Sequence, residues 1–303
     1  MTDLTLFQEN IRTFLPEIEL RFYEPLAKHT SFRIGGGAEV MAFPKNPEEL
    51  AQIMRACKTL GTIPAVLGAG TNVLAPDDGI AGLVICLKDC LGGMEQLDET
   101  HIRVASGVTM TRAAVFAAGL GLSGLEFAHG IPGTVGGGVY MNAGAYGGEI
   151  SQVCVSVDVM DRNGDVTTFT AQQMEFSYRH SVLEDNSGIV ISAVFALVPE
   201  DEAVIRAQMK ELMARRSASQ PLDLPSAGSA FKRPVGGYAG ALIEQAGLKG
   251  YQVGGAAIST KHAGFAVNVD NATANDVKKL LQNVSDIVFE KTGIRLEPEV
   301  RIW

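Results

Sequence analysis

The sequence lacks the features of several broad protein classes. It has no run of five or six like charges, and its 25 basic residues are outnumbered by 34 acidic ones, which gives a formal net charge of −9. This balance argues against a basic nucleic-acid-binding face, although a few clustered cations could still bind an anionic ligand. No apolar run approaches the ~18 residues of a membrane span, so we expect no membrane insertion.

Secretion signals and cysteine-based metal patterns are also missing. The amino-terminal residues MTDLTLFQENIRTFLPEIEL have no basic start followed by an apolar core. We therefore predict no signal peptide and a cytoplasmic location. There are only four cysteines, and Cys86 and Cys90 have no second Cys or His pair near them in the sequence. This pattern predicts reduced, structural cysteines and no metal site.

What the sequence does contain is typical of a globular protein with an α+β fold. Its 303 residues, 46% of them hydrophobic, are enough for about two domains. Strand and helix patterns are mixed without regular βαβ repetition. The pattern predicts a helix that Asn46 caps and Pro47 begins, a hairpin that turns at Asn163-Gly164, and a last helix over about 274–291.

Three glycine-rich stretches are candidate ligand loops. They are RIGGGAE (33–39), LGAGTNVL (67–74) and HGIPGTVGGGVYMNAGAYGG (129–148), the last with eight glycines in twenty residues. None has the lysine of a phosphate-binding P-loop, and 67–74 lacks the third glycine of the dinucleotide fingerprint. Backbone N–H groups in such turns form anion-binding concavities, so together the loops predict a dinucleotide bound without a Rossmann fold.

One pair of motifs points to a different chemistry. Ser229-Ala-Phe-Lys232 matches S-x-x-K and residues 291–293 match K-T-G, which are both found in serine acyl-enzymes. The context disagrees, because Pro234 disfavours a helix through the first motif and the second falls at a predicted helix end. We therefore do not favour an acyl-enzyme.

The chain resembles UDP-N-acetylenolpyruvoylglucosamine reductases in a series of ordered motifs. These are HTSFRIGG (29–36), LGAGTNVL (67–74), GIPGTVGGGVYMNAGAYGGE (130–149), YRHS (178–181), GSAFKRP (228–234), KHAGFAVN (261–268) and LEPEVR (296–301). The resemblance implies an FAD-binding domain of the vanillyl-alcohol-oxidase type over 1–199, with α+β subdomains of about 1–88 and 89–199. A C-terminal α+β substrate-binding domain over 200–303 is implied to follow.

The same resemblance implies a flavoenzyme of peptidoglycan precursor synthesis. NADPH would reduce a non-covalent FAD, and hydride would then pass to the enolpyruvyl ether of a UDP-sugar. Arg179 matches the family's active-site arginine, whose guanidinium suits a planar carboxylate. Ser229 matches the proton donor of the family. Glu299, preferred to Glu297, matches the catalytic glutamate.

Other site residues are expected on weaker grounds. The cofactor-binding candidates come from the three glycine-rich stretches, and the substrate-binding candidates are mostly cations for a diphosphate; we predict no metal ligand. The cofactor set is Arg33, Ile34, Gly35, Gly68, Ala69, Gly70, Thr71, Asn72, Gly133, Thr134, Gly136, Gly137, Asn142, Ala143 and Gly144. The substrate set is Arg215, Lys232, Lys261, His262 and Arg301.

The sequence also leaves alternatives open. It resembles a shorter branch of the family, without the insertion whose tyrosine reaches the substrate diphosphate, and Tyr238 or Tyr251 could replace that tyrosine. A flavin-dependent oxidase or a non-enzymatic binding protein remains as a rival, and the oligomeric state is not predicted. Bulky side chains at Gly136 or Gly137 are expected to abolish flavin binding before they unfold the protein.

Overall fold

The computed structural model describes residues 5–303, so the first four residues of the predicted 1–199 domain lie outside it. These residues form two compact units. The first takes 5–22, Val40–Ala69 and Gly82–Arg215, and the second takes Tyr23–Glu39, Gly70–Ala81 and Arg216–Trp303. The predicted end of the FAD-binding domain at residue 199, and the predicted boundary between its subdomains at about residue 88, stay predictions.

The α-helices of the described residues are numbered in chain order. They are α1 (Leu6–Phe14), α2 (Pro47–Thr59), α3 (Met110–Gly119), α4 (Val135–Tyr140), α5 (Leu183–Asn186), α6 (Glu202–Ser219), α7 (Ala239–Gln245) and α8 (Ala274–Thr292). Within residues 5–303 no helix is both long enough and apolar enough to cross a membrane.

The strands form three larger sheets and three short pairs. They are β1 (Glu19–Pro25), β2 (Gly37–Phe43), β3 (Ala65–Leu67), β4 (Val73–Leu74), β5 (Ile80–Cys86), β6 (Met94–Gln96), β7 (His101–Ala105), β8 (Leu122–Ser123), β9 (Gly144–Ala145), β10 (Gly148–Glu149), β11 (Cys154–Met160), β12 (Val166–Thr170), β13 (Ile189–Ala196), β14 (Val198–Pro199), β15 (Ser226–Ser229), β16 (Gln252–Val253), β17 (Ala256–Ile258), β18 (Phe265–Asn268) and β19 (Arg301–Ile302). The sheet orders are β1-β2-β5-β3, β12-β11-β13-β7-β6 and β15-β18-β17-β16, and the pairs are β10-β9, β14-β8 and β19-β4.

Local sequence signals explain the clearest helices. Asn46 caps α2 by accepting a hydrogen bond from the Glu49 N–H at 2.8 Å, and Pro47 occupies the first helical position. The predicted last helix is confirmed as α8, where Thr273 and Asp276 form a capping box. It ends at Gly293, whose φ of 71° is left-handed and therefore favours glycine.

The predicted hairpin is confirmed as β11 and β12, with Met160 opposite Val166. Its loop covers residues 161–165 and is held by the carboxylate of Asp161. That carboxylate accepts from the N–H groups of Asp165 at 2.9 Å and Asn163 at 2.7 Å. These bonds stabilise the charged form and lower the pKa of Asp161.

Each unit has its own apolar core. In the first unit one core lies around α3, α4 and β13, and another around α2, β2 and β5. In the second unit α7 and α8 pack with strands β17 and β18. The four cysteines are free, and burial raises the pKa of the Cys57 and Cys154 thiols to about 12. These two thiols therefore stay protonated and serve packing.

Candidate active site

The glycine-rich stretch over 129–148 folds around the short helix α4 in the first unit. The Thr134 side chain caps the helix and accepts from the Gly137 N–H at 3.3 Å. The N–H groups of Val135 and Gly136 donate to the carbonyls of Val108 and Ser106, and that of Gly138 donates to the carbonyl of the cap residue Thr134. The first turn of α4 therefore has its donors satisfied by the protein, and it differs in this from a phosphate-binding helix end.

Unsatisfied backbone donors lie just before this helix. The N–H groups of Gly133 and Thr134 have no hydrogen-bond partner among residues 5–303, and neither have those of Gly68 and Ala69 after β3. The two loops adjoin, because a Cβ added at Gly68 would lie 2.7 Å from Thr134 Oγ1. In the first unit, two predicted cofactor loops thus bring four backbone donors together, an arrangement suited to an anionic group.

Two neighbouring glycines of α4 have different surroundings. A Cβ at Gly136 would lie 2.8 Å from the Cβ of Ser106, so a side chain there would strain the fold itself. At Gly137, which is exposed, the nearest atom would be Thr134 Oγ1 at an ordinary 3.6 Å. The contact with Ser106 therefore argues against the expectation that a bulky side chain at Gly136 blocks the cofactor before it unfolds the protein. At Gly137 the surroundings agree with that expectation, and it stays a prediction.

Ser106 itself was missed from sequence. Its side chain is fully buried and its Oγ has no hydrogen-bond partner among the described residues. Its carbonyl accepts from the Gly136 N–H at 2.9 Å. The segment HIRVASGV reads only as an alternating strand, so no sequence signal marked this hydroxyl as a candidate polar contact.

The second unit contains the other predicted cofactor loop. The N–H groups of Ile34 and Gly35 have no partner among residues 5–303, and the same holds for Gly70. Gly70 has a φ of 62°, and a Cβ there would lie 2.1 Å from the His29 carbonyl oxygen. Only glycine fits such a position. Ile34 can offer only its backbone, because its side chain lies in the core.

Asn72 connects this loop to the carboxyl-terminal segment of the second unit. Its carbonyl accepts from the Arg301 N–H at 2.9 Å, and its Nδ2 donates to the Glu299 carbonyl at 3.2 Å. Strands β4 and β19 pair in parallel directly beyond. The side chain of Asn72, predicted to bind cofactor, therefore also holds the segment that contains Glu299.

The same segment pairs with the one that contains Ser229. The Glu299 N–H donates to the Ala230 carbonyl at 2.9 Å, and the Lys232 N–H donates to the Glu297 carbonyl at 2.9 Å. Because Ala230 follows Ser229 in the chain, Ser229 and Glu299 lie close together in the second unit. Ser229 is exposed and Glu299 is half-buried.

The residues of the S-x-x-K and K-T-G motifs have other partners. The carboxylate of Glu297 forms an ion pair with Lys232, the lysine of the S-x-x-K motif. The K-T-G residues lie at the end of α8, where Lys291 donates to the Ala246 carbonyl at 2.7 Å. Neither motif has the geometry of a serine acyl-enzyme.

Arg179 lies in the first unit, at the tip of a tight turn. Ser177 and His180 exchange two backbone hydrogen bonds of 3.1 and 3.2 Å across it. Arg179 has a φ of 58°, and its Nη2 lies 3.4 Å from the Gly144 carbonyl oxygen. Asn142, predicted to bind cofactor, is buried and donates through Nδ2 to the Ser177 carbonyl at 3.0 Å. The stretch over 140–144 therefore contacts the turn of Arg179.

Most of the predicted diphosphate cations have protein partners. Arg215 pairs with Glu211 at 2.7 Å, and Lys261 donates to the Ser217 carbonyl at 2.7 Å. His262 is half-buried, and burial lowers the pKa of its imidazole. Its Nδ1 accepts from the Gly264 N–H at 3.0 Å, which fixes the neutral form with the proton on Nε2. His262 therefore contributes no positive charge near pH 7.

The two tyrosines left open by the sequence differ in accessibility. Tyr251 is half-buried, and its hydroxyl accepts from Asn283 Nδ2 at 3.1 Å. Tyr238 is 63% exposed, and the guanidinium of Arg233 lies 4.5 Å from its ring centroid. Only Tyr238 presents an accessible ring, in the loop that follows Ser229 and Lys232.

Comparison with known proteins gives this geometry a context. A family model described as "FAD binding domain" matches residues 38–170, and one described as "UDP-N-acetylenolpyruvoylglucosamine reductase, C-terminal domain" matches residues 220–303. The UDP-N-acetylenolpyruvoylglucosamine reductase of Levilactobacillus brevis is 46% identical over 98% of this chain and 97% of its own length. The chain belongs to the UDP-N-acetylenolpyruvoylglucosamine reductase family.

Other members of this reductase family agree. The reductase of Lactobacillus delbrueckii subsp. bulgaricus is 47% identical over 94% of this chain and 95% of its own. The crystal structure of the Thermus caldophilus reductase matches with a TM-score of 0.78 at 33% identity, covering 95% of this chain and 99% of that chain. The predicted α+β fold with an FAD-binding domain is thereby confirmed.

The residues present fit FAD, the cofactor of this reductase family. Unpartnered N–H groups follow one another at Gly68-Ala69 and Gly133-Thr134 in the first unit, and at Ile34-Gly35 in the second. Such sets suit a diphosphate, which has no donors of its own and needs several. Among residues 5–303 no group of three His, Cys, Asp or Glu side chains is arranged to hold a metal ion.

Proposed function

We propose that this protein reduces the enolpyruvyl group of UDP-N-acetylenolpyruvoylglucosamine to give UDP-N-acetylmuramate, with NADPH as the hydride donor. The observation that carries the proposal is the 46% identity to a named reductase over 98% of the chain. When bound, FAD would accept hydride from NADPH and supply it to the substrate. The proposal also places the protein in the cytoplasm, in line with its UDP-sugar substrate and NADPH.

The chemistry of the reduction assigns a role to Arg179. Hydride arrives at the carbon remote from the substrate carboxylate, so negative charge develops on the neighbouring carbon and the carboxylate. A fixed cationic donor stabilises that enolate, an effect of roughly 10²–10³ in rate for one donor. The left-handed turn holds the Arg179 backbone in one conformation, which suits such a preorganised donor.

Ser229 and Glu299 complete the proposed catalytic set. The Ser229 hydroxyl would protonate the enolate carbon, because an enolate is a base strong enough to take a proton from serine. Glu299 would orient the substrate's carboxyl end from the adjacent backbone position. The hydrogen bond from the Glu299 N–H to the Ala230 carbonyl supports these roles, since it keeps the backbone of Glu299 next to the segment that contains Ser229.

Cations and an aromatic side chain would bind the UDP group. Lys232, Arg215, Lys261 and Arg301 stay the proposed diphosphate contacts, with the ion pair to Glu297 competing at Lys232. Tyr238 and Arg233 add an exposed ring and guanidinium in the loop after Ser229. His262, being neutral, would serve as a hydrogen-bond donor through Nε2.

The test is flavin spectroscopy with the two half-reactions separated. Purified protein should show a flavin absorbance spectrum that NADPH bleaches, and adding the enolpyruvyl substrate should restore it. A protein that cannot be reconstituted with FAD would refute the proposal. Colour that stays with the acid-precipitated polypeptide would favour the rival oxidase, because it would indicate a covalent flavin. Binding of both ligands without turnover would support a non-enzymatic role.

A further inference from the structure

We infer that Asn142 is a positioning residue for Arg179, not a cofactor ligand. This inference rests on the proposed function in one respect, the catalytic role of Arg179. Asn142 is 1% exposed, so its amide is turned into the first unit. Its Oδ1 accepts from the Ser151 N–H at 2.9 Å and its Nδ2 donates to the Ser177 carbonyl at 3.0 Å.

The contact with Ser177 acts directly on the turn of Arg179. Ser177 and His180 close the turn through two backbone hydrogen bonds, and Arg179 occupies a left-handed φ of 58° between them. An arginine in this conformation is strained, so the surroundings must hold it. The amide of Asn142 fixes the turn at Ser177, on the amino-terminal side of Arg179.

A second tether, a buried hydrogen bond of Ser181, fixes the turn on the carboxyl-terminal side of Arg179. Ser181 is fully buried, and its Oγ donates to the Tyr140 carbonyl at 2.8 Å. Tyr140 is the last residue of α4, and Asn142 follows two residues later. Residues at and just after the end of α4 are therefore hydrogen-bonded to the turn on both sides of Arg179, at Ser177 and at Ser181.

The backbone of Asn142 makes this arrangement specific to its residue type. Its φ of 42° is left-handed, a conformation that asparagine, aspartate and glycine adopt most readily. Among these three residues, only asparagine combines an uncharged acceptor for Ser151 with a donor for Ser177. The substitution Asn142→Asp keeps shape, backbone preference and acceptor while it removes the donor.

The first experiment measures the turn without using activity. Trypsin cleavage after Arg179 in the FAD-loaded enzyme, followed by mass spectrometry of the fragment ending there, reports how often the turn opens. Asn142→Asp and Ser181→Ala should each speed this cleavage about tenfold, since each removes a buried hydrogen bond. Asn271→Asp is the matched control, because Asn271 is a left-handed asparagine on the surface of the second unit. Unchanged cleavage in Asn142→Asp would overturn the inference.

The second experiment asks whether Asn142 acts through Arg179. Asn142→Asp should slow reoxidation of the reduced flavin by the enolpyruvyl substrate about tenfold and leave reduction by NADPH and FAD affinity unchanged. In an Arg179→Ala background the same substitution should have no further effect. An equal loss in both backgrounds, or a loss of FAD, would refute the positioning role.

The two experiments also separate this inference from the proposed function. If Arg179→Ala leaves reduction of the substrate at the wild-type rate, the proposed catalytic role of Arg179 fails. The contact of Asn142 with the turn would then be decided by trypsin cleavage alone. If a buried carboxylate at position 142 prevents folding, Asn142→Gly decides the question instead, because it keeps the left-handed backbone preference and removes the amide without adding a charge.

Discussion

Substitutions at two adjacent glycines should separate cofactor binding from folding. Gly137 is exposed at the start of α4, and a Cβ there would meet Thr134 Oγ1 at a tolerable 3.6 Å. Gly137→Ala should therefore stabilise the FAD-free protein by roughly 0.5–1 kcal/mol, because alanine loses less backbone entropy than glycine in a helix. Gly136→Ala should destabilise it by about 1–3 kcal/mol, because its Cβ would lie 2.8 Å from that of Ser106.

At Gly137 a substitution that raises the stability of the FAD-free protein should lower its affinity for FAD. If the cofactor approaches this backbone, then Gly137→Ala weakens FAD binding and Gly137→Leu weakens it at least tenfold, about 1.4 kcal/mol, while both variants stay folded. Urea unfolding of the FAD-free protein gives the stability term. Quenching of flavin fluorescence on binding gives the affinity term, and the two must be measured separately because bound FAD stabilises the fold.

The result that would refute this reasoning is equally specific. Wild-type FAD affinity in Gly137→Leu would show that the exposed face of α4 does not meet the cofactor. Wild-type stability in Gly136→Ala would show that the contact with Ser106 relaxes without cost. The first outcome would separate this stretch from the cofactor role that its glycines predicted, and the second would remove the packing reason for glycine at position 136.

Other predictions concern the second unit. Ser229→Ala should leave flavin reduction by NADPH unchanged and slow substrate reduction by roughly 10²–10⁴, as stopped-flow absorbance would show; equal slowing of both half-reactions would contradict the proton-donor role. Tyr238→Leu should raise the KM for the UDP substrate several-fold, while Tyr251→Phe, the control, leaves it unchanged; equal KM values would exclude a Tyr238 contact. Burial lowers the pKa of His262 from its ordinary 6.5. As the pH drops below about 6.5, the unfolded chain therefore binds a proton at this residue more readily than the folded chain does, and the free energy of unfolding should fall. Urea unfolding at pH 7.5 and 5.5 should show a smaller loss in His262→Asn, and an equal loss would contradict this assignment.

The sequence predicted those parts of the fold whose causes are local. Asn46 with Pro47, and Thr273 with Asp276, fix the starts of α2 and α8 through side chains and N–H groups three residues apart. Such signals are complete within one helical turn, so they can be read without knowing the rest of the fold. The alternating valines of β11 were readable for the same reason.

The sequence could not predict which glycine N–H groups are hydrogen-bonded within the fold and which are left for a ligand. Sequence treats Gly68, Gly133, Gly136 and Gly137 alike, whereas the N–H groups of Gly68 and Gly133 are without partners and those of the α4 glycines are used by the fold. That difference depends on which carbonyls tertiary structure brings near, including the Ser106 carbonyl thirty residues away in the chain. The sequence motifs identify the loops, whereas the hydrogen bonds formed in the fold determine which of their backbone donors a ligand can use.

Backbone conformation adds a signal that residue types conceal. Arg33, Asn142 and Arg179, all candidates from the sequence, are among the few non-glycine residues of 5–303 with a positive φ. Arginine has no short polar side chain to offset this conformation, so nothing in its sequence propensity predicts it. The strain at Arg179 persists because buried hydrogen bonds from Asn142 and Ser181 hold its turn. One half of the glycine-rich stretch thus presents backbone donors before α4, and the other half, after α4, supports an arginine.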